Sequence, residues 1–186
     1  MPRLFACFLL SFALVLIAAS HPVTAQDTVA PLPAPATQQP TAEDAQKAEL
    51  RKQIQKYYDQ MNEGLSRLDI NAFVQYYALD YRALDKNDEK QTLKQYKDAY
   101  RFIFRRAMGI KATTVMSVFE PKSDTITVET RKEFAFRGRS DGGVDLYIEG
   151  MTQDRDFWMK RKGKWLIKQS RVYDFSMKVN GQTVKD

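Results

Sequence analysis

Histidine and cysteine are almost missing from this chain. Its 186 residues hold one of each, Cys7 and His21, and both lie near the N-terminus. Everything after residue 21 works without thiol or imidazole, which excludes disulfides, cysteine nucleophiles, Ser/His/Asp triads and zinc or haem sites built on those ligands. Chemistry is left to carboxylates, tyrosines, arginines and lysines, so no metal and no cofactor is expected. Proline is also unevenly spread: of seven, only Pro121 lies beyond residue 40. Charge of one sign is no more concentrated. The formal +6 is a moderate excess along the whole chain, which attracts anionic surfaces only weakly.

Long apolar runs are confined to Leu4–Ala19. With Arg3 before it and Ser20-His-Pro-Val-Thr-Ala25 after it, this run has the three parts of a secretory signal. It is shorter than the ~20 residues that span a bilayer comfortably. Cleavage is expected near Ala25, giving a secreted or periplasmic protein that meets the membrane only during export. Residues 26–40 hold four prolines and almost no charge, and they predict a disordered linker. One domain over 41–178 follows, then a polar tail over 179–186.

Thr41-Ala-Glu-Asp44 has the form of a helix start, and Leu50, Ile54, Tyr57, Tyr58, Met61, Leu65 and Leu68 recur at helical spacing for about seven turns. Asp69 predicts the cap of a second, shorter helix through Leu79, with a short strand over Tyr81–Leu84. A third helix is expected over Thr92–Met108, stopped by Gly109. The period then changes to two. Ile126, Val128, Thr130, Phe134 and Phe136 alternate with Thr127, Glu129, Arg131, Glu133 and Arg137, as in a half-buried strand.

The strongest local signal is Thr152–Tyr173, two long strands joined at Lys162-Gly163. A two-residue loop sets Arg161 opposite Lys164. An unbroken register then sets Trp158 opposite Ile167, Asp156 opposite Gln169, Asp154 opposite Arg171 and Thr152 opposite Tyr173. Those last eight side chains are expected on one face, as the lining of a cavity. The run Lys160-Arg-Lys-Gly-Lys164 between two tryptophans is a solvated hairpin end, and no nucleic-acid partner is expected.

Three helices followed by four long antiparallel strands make an α+β layout: helices packed into a strongly curved, mainly antiparallel sheet. Gly64-Leu-Ser-Arg-Leu-Asp-Ile-Asn-Ala-Phe73, Tyr76-Tyr-Ala-Leu-Asp-Tyr81 and Phe157-Trp-Met-Lys-Arg-Lys-Gly-Lys-Trp-Leu-Ile167 give the chain a resemblance to the nuclear-transport-factor-2-like superfamily, the α+β cone shared with SnoaL-like cyclases and ketosteroid isomerases. The resemblance implies that fold over about Thr41–Lys178. It leaves function open, since the superfamily hosts isomerases, cyclases, dehydratases and plain binding modules. The histidine-bearing catalytic arrangements of some members have no counterpart here.

Asp154 facing Arg171 is the sharpest candidate pair, able to orient a polar ligand group or simply to satisfy itself. Asp156, nearer Trp158, is a candidate general base. Tyr76, Tyr81 and Tyr173 are phenols able to polarise a carbonyl, as in isomerases of this fold. The expected site is thus Tyr76, Tyr81, Thr152, Asp154, Asp156, Trp158, Gln169, Arg171 and Tyr173, with Asp154, Asp156 and Tyr81 as the catalytic candidates. Two functions stay open: non-catalytic binding of a small, mostly apolar ligand or a structural role, and a cofactor-independent isomerase, cyclase or hydratase. On the other sheet face Tyr147, Met151, Phe157, Met159, Leu166 and Val172 mix with charges of both signs, which predicts a homodimer packed sheet on sheet, as the resemblance also implies.

Overall fold

The computed structural model describes residues 41–140 and 142–184; the expected leader and linker lie outside the described residues. Helix α1 spans Ala42–Ser66, and Thr41 and Asp44 close a reciprocal capping box at its start. Helix α2, Ile70–Phe73, is a single turn capped by the Asp69 carboxylate on the Asn71 and Ala72 amides. It is shorter than its sequence suggests. Strand β1 (Tyr77–Leu84) takes over the second half of the expected helix, with Tyr77, Ala78 and Tyr81 buried and Leu79 exposed where its pairing is irregular. The physical reason is pairing: β1 runs parallel to a later strand, and that ladder overrides the local spacing.

Strand β2 (Lys90–Thr92) pairs with β1 and leads into helix α3 (Leu93–Phe104), whose Thr92 and Gln95 form a second capping box. Four long strands follow: β3 (Ala107–Pro121), β4 (Thr125–Arg139), β5 (Asp145–Arg161) and β6 (Lys164–Val179). Gly109 sits inside β3 and stops no helix. Strand β7 (Gln182–Val184) pairs with β6 through a turn in which Asn180 and Gly181 both take positive φ. Residues 179–184 are therefore a hairpin on an Asn-Gly turn, where a loose tail was expected. The sheet order is β2-β1-β6-β5-β4-β3, antiparallel except for β1 against β6.

The long strands bend around α1. At Gly150 the Phe134 ring lies where a side chain would stand, 2.3 Å from an ideal Cβ, so the inner face folds on itself there. The core gathers Ile54, Tyr58, Met61 and Leu65 of α1 against Met116, Phe119, Ile126, Val128, Trp158 and Ile167. Beside it stands an aromatic group, Phe73, Tyr77, Tyr96 and Tyr100, in which neighbouring ring centroids lie 4.6 to 6.0 Å apart.

The β5–β6 hairpin has the two-residue turn, Lys162 and Gly163 at positive φ, and the expected pairing of Trp158 with Ile167. Beyond that the register departs from expectation. Extra residues on β6 form bulges between the Phe157 and Trp158 pairings and again between those of Gln153 and Asp154. Asp156 consequently faces Ser170, Asp154 faces Val172 and Thr152 faces Phe175. Each bulge moves every later side chain to the other face relative to an unbroken ladder. Gln169 and Arg171 leave the interior, and Val172 enters it.

Candidate functional site

Inside the cone, the inner face of β4 and β5 carries three charged residues among apolar ones. Lys132 reaches across to the next strand, with Nζ 2.6 Å from Asp154 Oδ2 and 3.2 Å from Asp156 Oδ2. Asp156 is fully buried. The Tyr58 hydroxyl, from α1, donates to Asp156 Oδ2 at 2.8 Å and accepts from Trp158 Nε1 at 3.0 Å. A chain of contacts therefore runs from indole through phenol to carboxylate and ammonium. Asp154 Oδ1 and Asp156 Oδ1 have no hydrogen-bond partner in the protein.

Electrostatics follow from burial and charge balance. Burial alone would lower the Lys132 pKa, but the Asp154 and Asp156 carboxylates outweigh it and hold the ammonium well above its ordinary value. Burial pushes the Asp154 carboxyl up. Lys132 opposes this and the Asp156 charge adds to it. Burial also raises the Tyr58 phenol far above its usual value, helped by the adjacent Asp156 charge, so Tyr58 is a donor and not a phenolate at neutral pH.

A cavity of about 210 Å³ opens above this group. Its wall includes Tyr58, Met61 and Leu65 from α1, Phe73 and Tyr77 below them, and Tyr96, Tyr100 and Ile103 from α3. Thr152, Asp154, Lys132 and Val172 supply the sheet side. The lining is thus mostly aromatic and aliphatic, and Asn62, Thr113, Thr114 and Glu133 join Lys132, Thr152 and Asp154 as its polar groups. Among the described residues, no three His, Cys, Asp or Glu side chains are grouped as a metal site requires.

No protein-family model matches the sequence, and no curated protein matches it. Solved structures do. An NTF-2 like protein of unknown function from Shewanella oneidensis superposes with a TM-score of 0.54 at 14% identity, covering 67% of this chain and 99% of that one. The chain has the nuclear-transport-factor-2-like fold. A protein assigned as a scytalone dehydratase from Novosphingobium aromaticivorans shares this fold with a TM-score of 0.57 at 14% identity, over 69% of this chain and 86% of that one. A type 2 hexachlorocyclohexane dehydrochlorinase shares it with a TM-score of 0.56 at 12% identity, over 76% and 97%. At such identities the likeness is one of fold, and the nuclear-transport-factor-2-like cone carries several chemistries.

Within the nuclear-transport-factor-2-like cone, the residues expected from sequence are divided among several places. Thr152 and Asp154 stand on the cavity wall. Asp156 and Trp158 are buried behind it, outside the lining. Tyr81 is also buried and outside the lining, packed edge-on against Tyr77 with centroids 4.5 Å apart. Tyr76 stacks on Tyr57 at 4.2 Å and donates its hydroxyl to Gln60, away from the cavity. Gln169 lies on the outer face opposite Phe157. Arg171 is exposed and pairs with Asp88, so the expected Asp154–Arg171 contact does not exist. Tyr173, at a bulge, is 45% exposed and stands outside this lining.

Lys132 is the residue that sequence reasoning passed over, and its signal was legible. It occupies an inward position in the alternation Ile126, Val128, Thr130, Phe134, Phe136, where a charge needs a buried partner. Tyr58 stood in the apolar stripe of α1, with nothing local to mark its hydroxyl as partnered.

Proposed function

We propose that this protein is an exported binding module that holds a small, mostly apolar ligand in the cavity of the cone. The observation that carries the reading is the pairing of both inner carboxylates with Lys132 beside a mostly aromatic and aliphatic chamber. Lys132 opposes the proton affinity that burial gives the Asp154 carboxylate and fixes the group in place, which suits an anchor. Size supports the reading as well. Cavities of about 150 Å³ take benzene, so about 210 Å³ suits a ring with a short substituent.

A second reading, a cofactor-independent isomerase, cyclase or hydratase, is favoured by one feature. Burial raises the Asp154 carboxyl, and that group lies on the cavity wall, as a general base does. Mass spectrometry of the native protein, purified from its source and released from its ligand, tests the first reading. A stoichiometric small molecule that is lost in Ala112→Leu, which fills the wall, supports it, and its absence from the parent protein counts against it. Chemical change of that molecule on incubation would favour the enzyme.

We also propose a homodimer packed through the outer sheet face. Tyr147 and Phe157 are well exposed there beside half-buried Met151, Met159 and Leu166. Val172 no longer belongs to that face. Strand β7 pairs with β6 at Met177–Val179, so among the described residues the C-terminal hairpin leaves Phe157 uncovered.

A further inference from the structure

The inner polar group is unbalanced. Asp154 and Asp156 face a single lysine, so the ionised cluster carries one negative charge in excess, inside a wall of mostly aromatic and aliphatic side chains in which the other carboxylate, Glu133, is paired with Arg131. Asp156 has Tyr58 and Lys132 on one oxygen and is sealed from the cavity. Asp154 differs in forming part of the wall: it is 5% exposed, the Thr152 hydroxyl beside its carboxyl helps to lower its pKa, and its Oδ1 makes no hydrogen bond of good geometry within the protein. A buried carboxylate oxygen without a donor is costly, and a bound donor would relieve the cost.

The surroundings decide which donor fits best. Tyr58, Phe73, Tyr77, Tyr96 and Tyr100 bring ring surfaces to the same chamber, and aromatic faces attract cations and gain nothing from anions. A carboxylate or phosphate ligand would add a second unbalanced negative charge next to Asp154. An ammonium would bring the group of two carboxylates and Lys132 to neutrality.

We propose that the ligand is a small amine with an apolar body, its ammonium seated against the Asp154 carboxylate and its body among the tyrosine rings. The inference rests on the binding reading above and adds the chemistry of the polar end. Lys132 then acts as a positioning residue, fixing Asp154 through Oδ2 so that Oδ1 is left for the ligand.

The test uses four probes that share one body, 2-phenylethylamine, 2-phenylethanol, phenylacetone and phenylacetate, titrated calorimetrically into the purified protein. The amine is expected to bind about tenfold or more tightly than the alcohol, as a charge-assisted hydrogen bond implies, and the acetate weakest. Asp154→Asn should erase the preference for the amine while retaining binding of the alcohol. Binding led by the ketone or the acid, or an amine no better than the alcohol, overturns the amine proposal and leaves the binding reading in place. Failure of all four to bind overturns both. The four-probe comparison on the parent protein decides the matter even if Asp154→Asn does not fold.

Discussion

Lys132 Nζ lies 2.6 Å from Asp154 Oδ2, diagonally across neighbouring strands, because Thr130 is the residue directly opposite Asp154. One ammonium on β4 therefore serves two carboxylates on β5, and the lysine is the keystone of the inner charges. Arg171, which an unbroken register would have put in that role, is at the surface.

Replacing Lys132 by methionine keeps much of its length and removes the charge, leaving two buried carboxylates without a counter-ion. A loss of about 3–5 kcal/mol is expected at neutral pH. The deficit should shrink as pH falls, because losing Lys132 removes a charge that lowers the Asp154 carboxyl, so its folded pKa rises further in the variant than in the parent. Urea denaturation at two pH values measures both effects. Arg171→Ala, which breaks only an exposed pair, should cost less than about 1 kcal/mol. Equal losses for the two variants would contradict the placement of these side chains.

Tyr58→Phe removes one oxygen that makes two buried hydrogen bonds, leaving Trp158 Nε1 without its acceptor and Asp156 Oδ2 without one donor. The expected cost is about 2–4 kcal/mol, with little change in packing because the ring is kept. An unchanged unfolding midpoint would show that the phenol is not the link between indole and carboxylate.

Alkaline pH should unfold the protein cooperatively. Lys132 has a folded pKa raised above its unfolded value, so its contribution is complete below about 10.4 and is lost as pH climbs through the folded pKa. Tyr58, Tyr77 and Tyr96 are raised as well, chiefly by burial, and act in the same direction. Ultraviolet absorbance should show these phenols ionising together with loss of the fold. Smooth, independent titration of every tyrosine while the fold persists would exclude the buried arrangement.

Sedimentation of residues 41–186 at micromolar concentration checks the proposed dimer. A two-fold species that Phe157→Glu dissociates is expected, since Phe157 is 36% exposed on the outer face and a carboxylate there would face its own copy. A monomer at all concentrations removes that assembly from consideration.

Periodicity by itself determined α1, α3, the four long strands and the Lys162-Gly163 turn, because each is written in local spacing and capping: Thr41 with Asp44, Thr92 with Gln95, and apolar alternation from Ile126 onward. The Asn180-Gly181 turn was expected only as part of a loose tail, although the pair favours positive φ at both positions. Lys132 was readable as an inward charge, yet its partners were not. What only the tertiary structure decided was the register beyond Phe157. The bulges on β6 lie in a strand of 16 residues that pairs with β5 on one side and β1 on the other. Pairing of that kind is a property of the whole sheet. A slip of one residue turned Arg171 to water and Val172 to the cavity, and it left Asp154 to a lysine on β4.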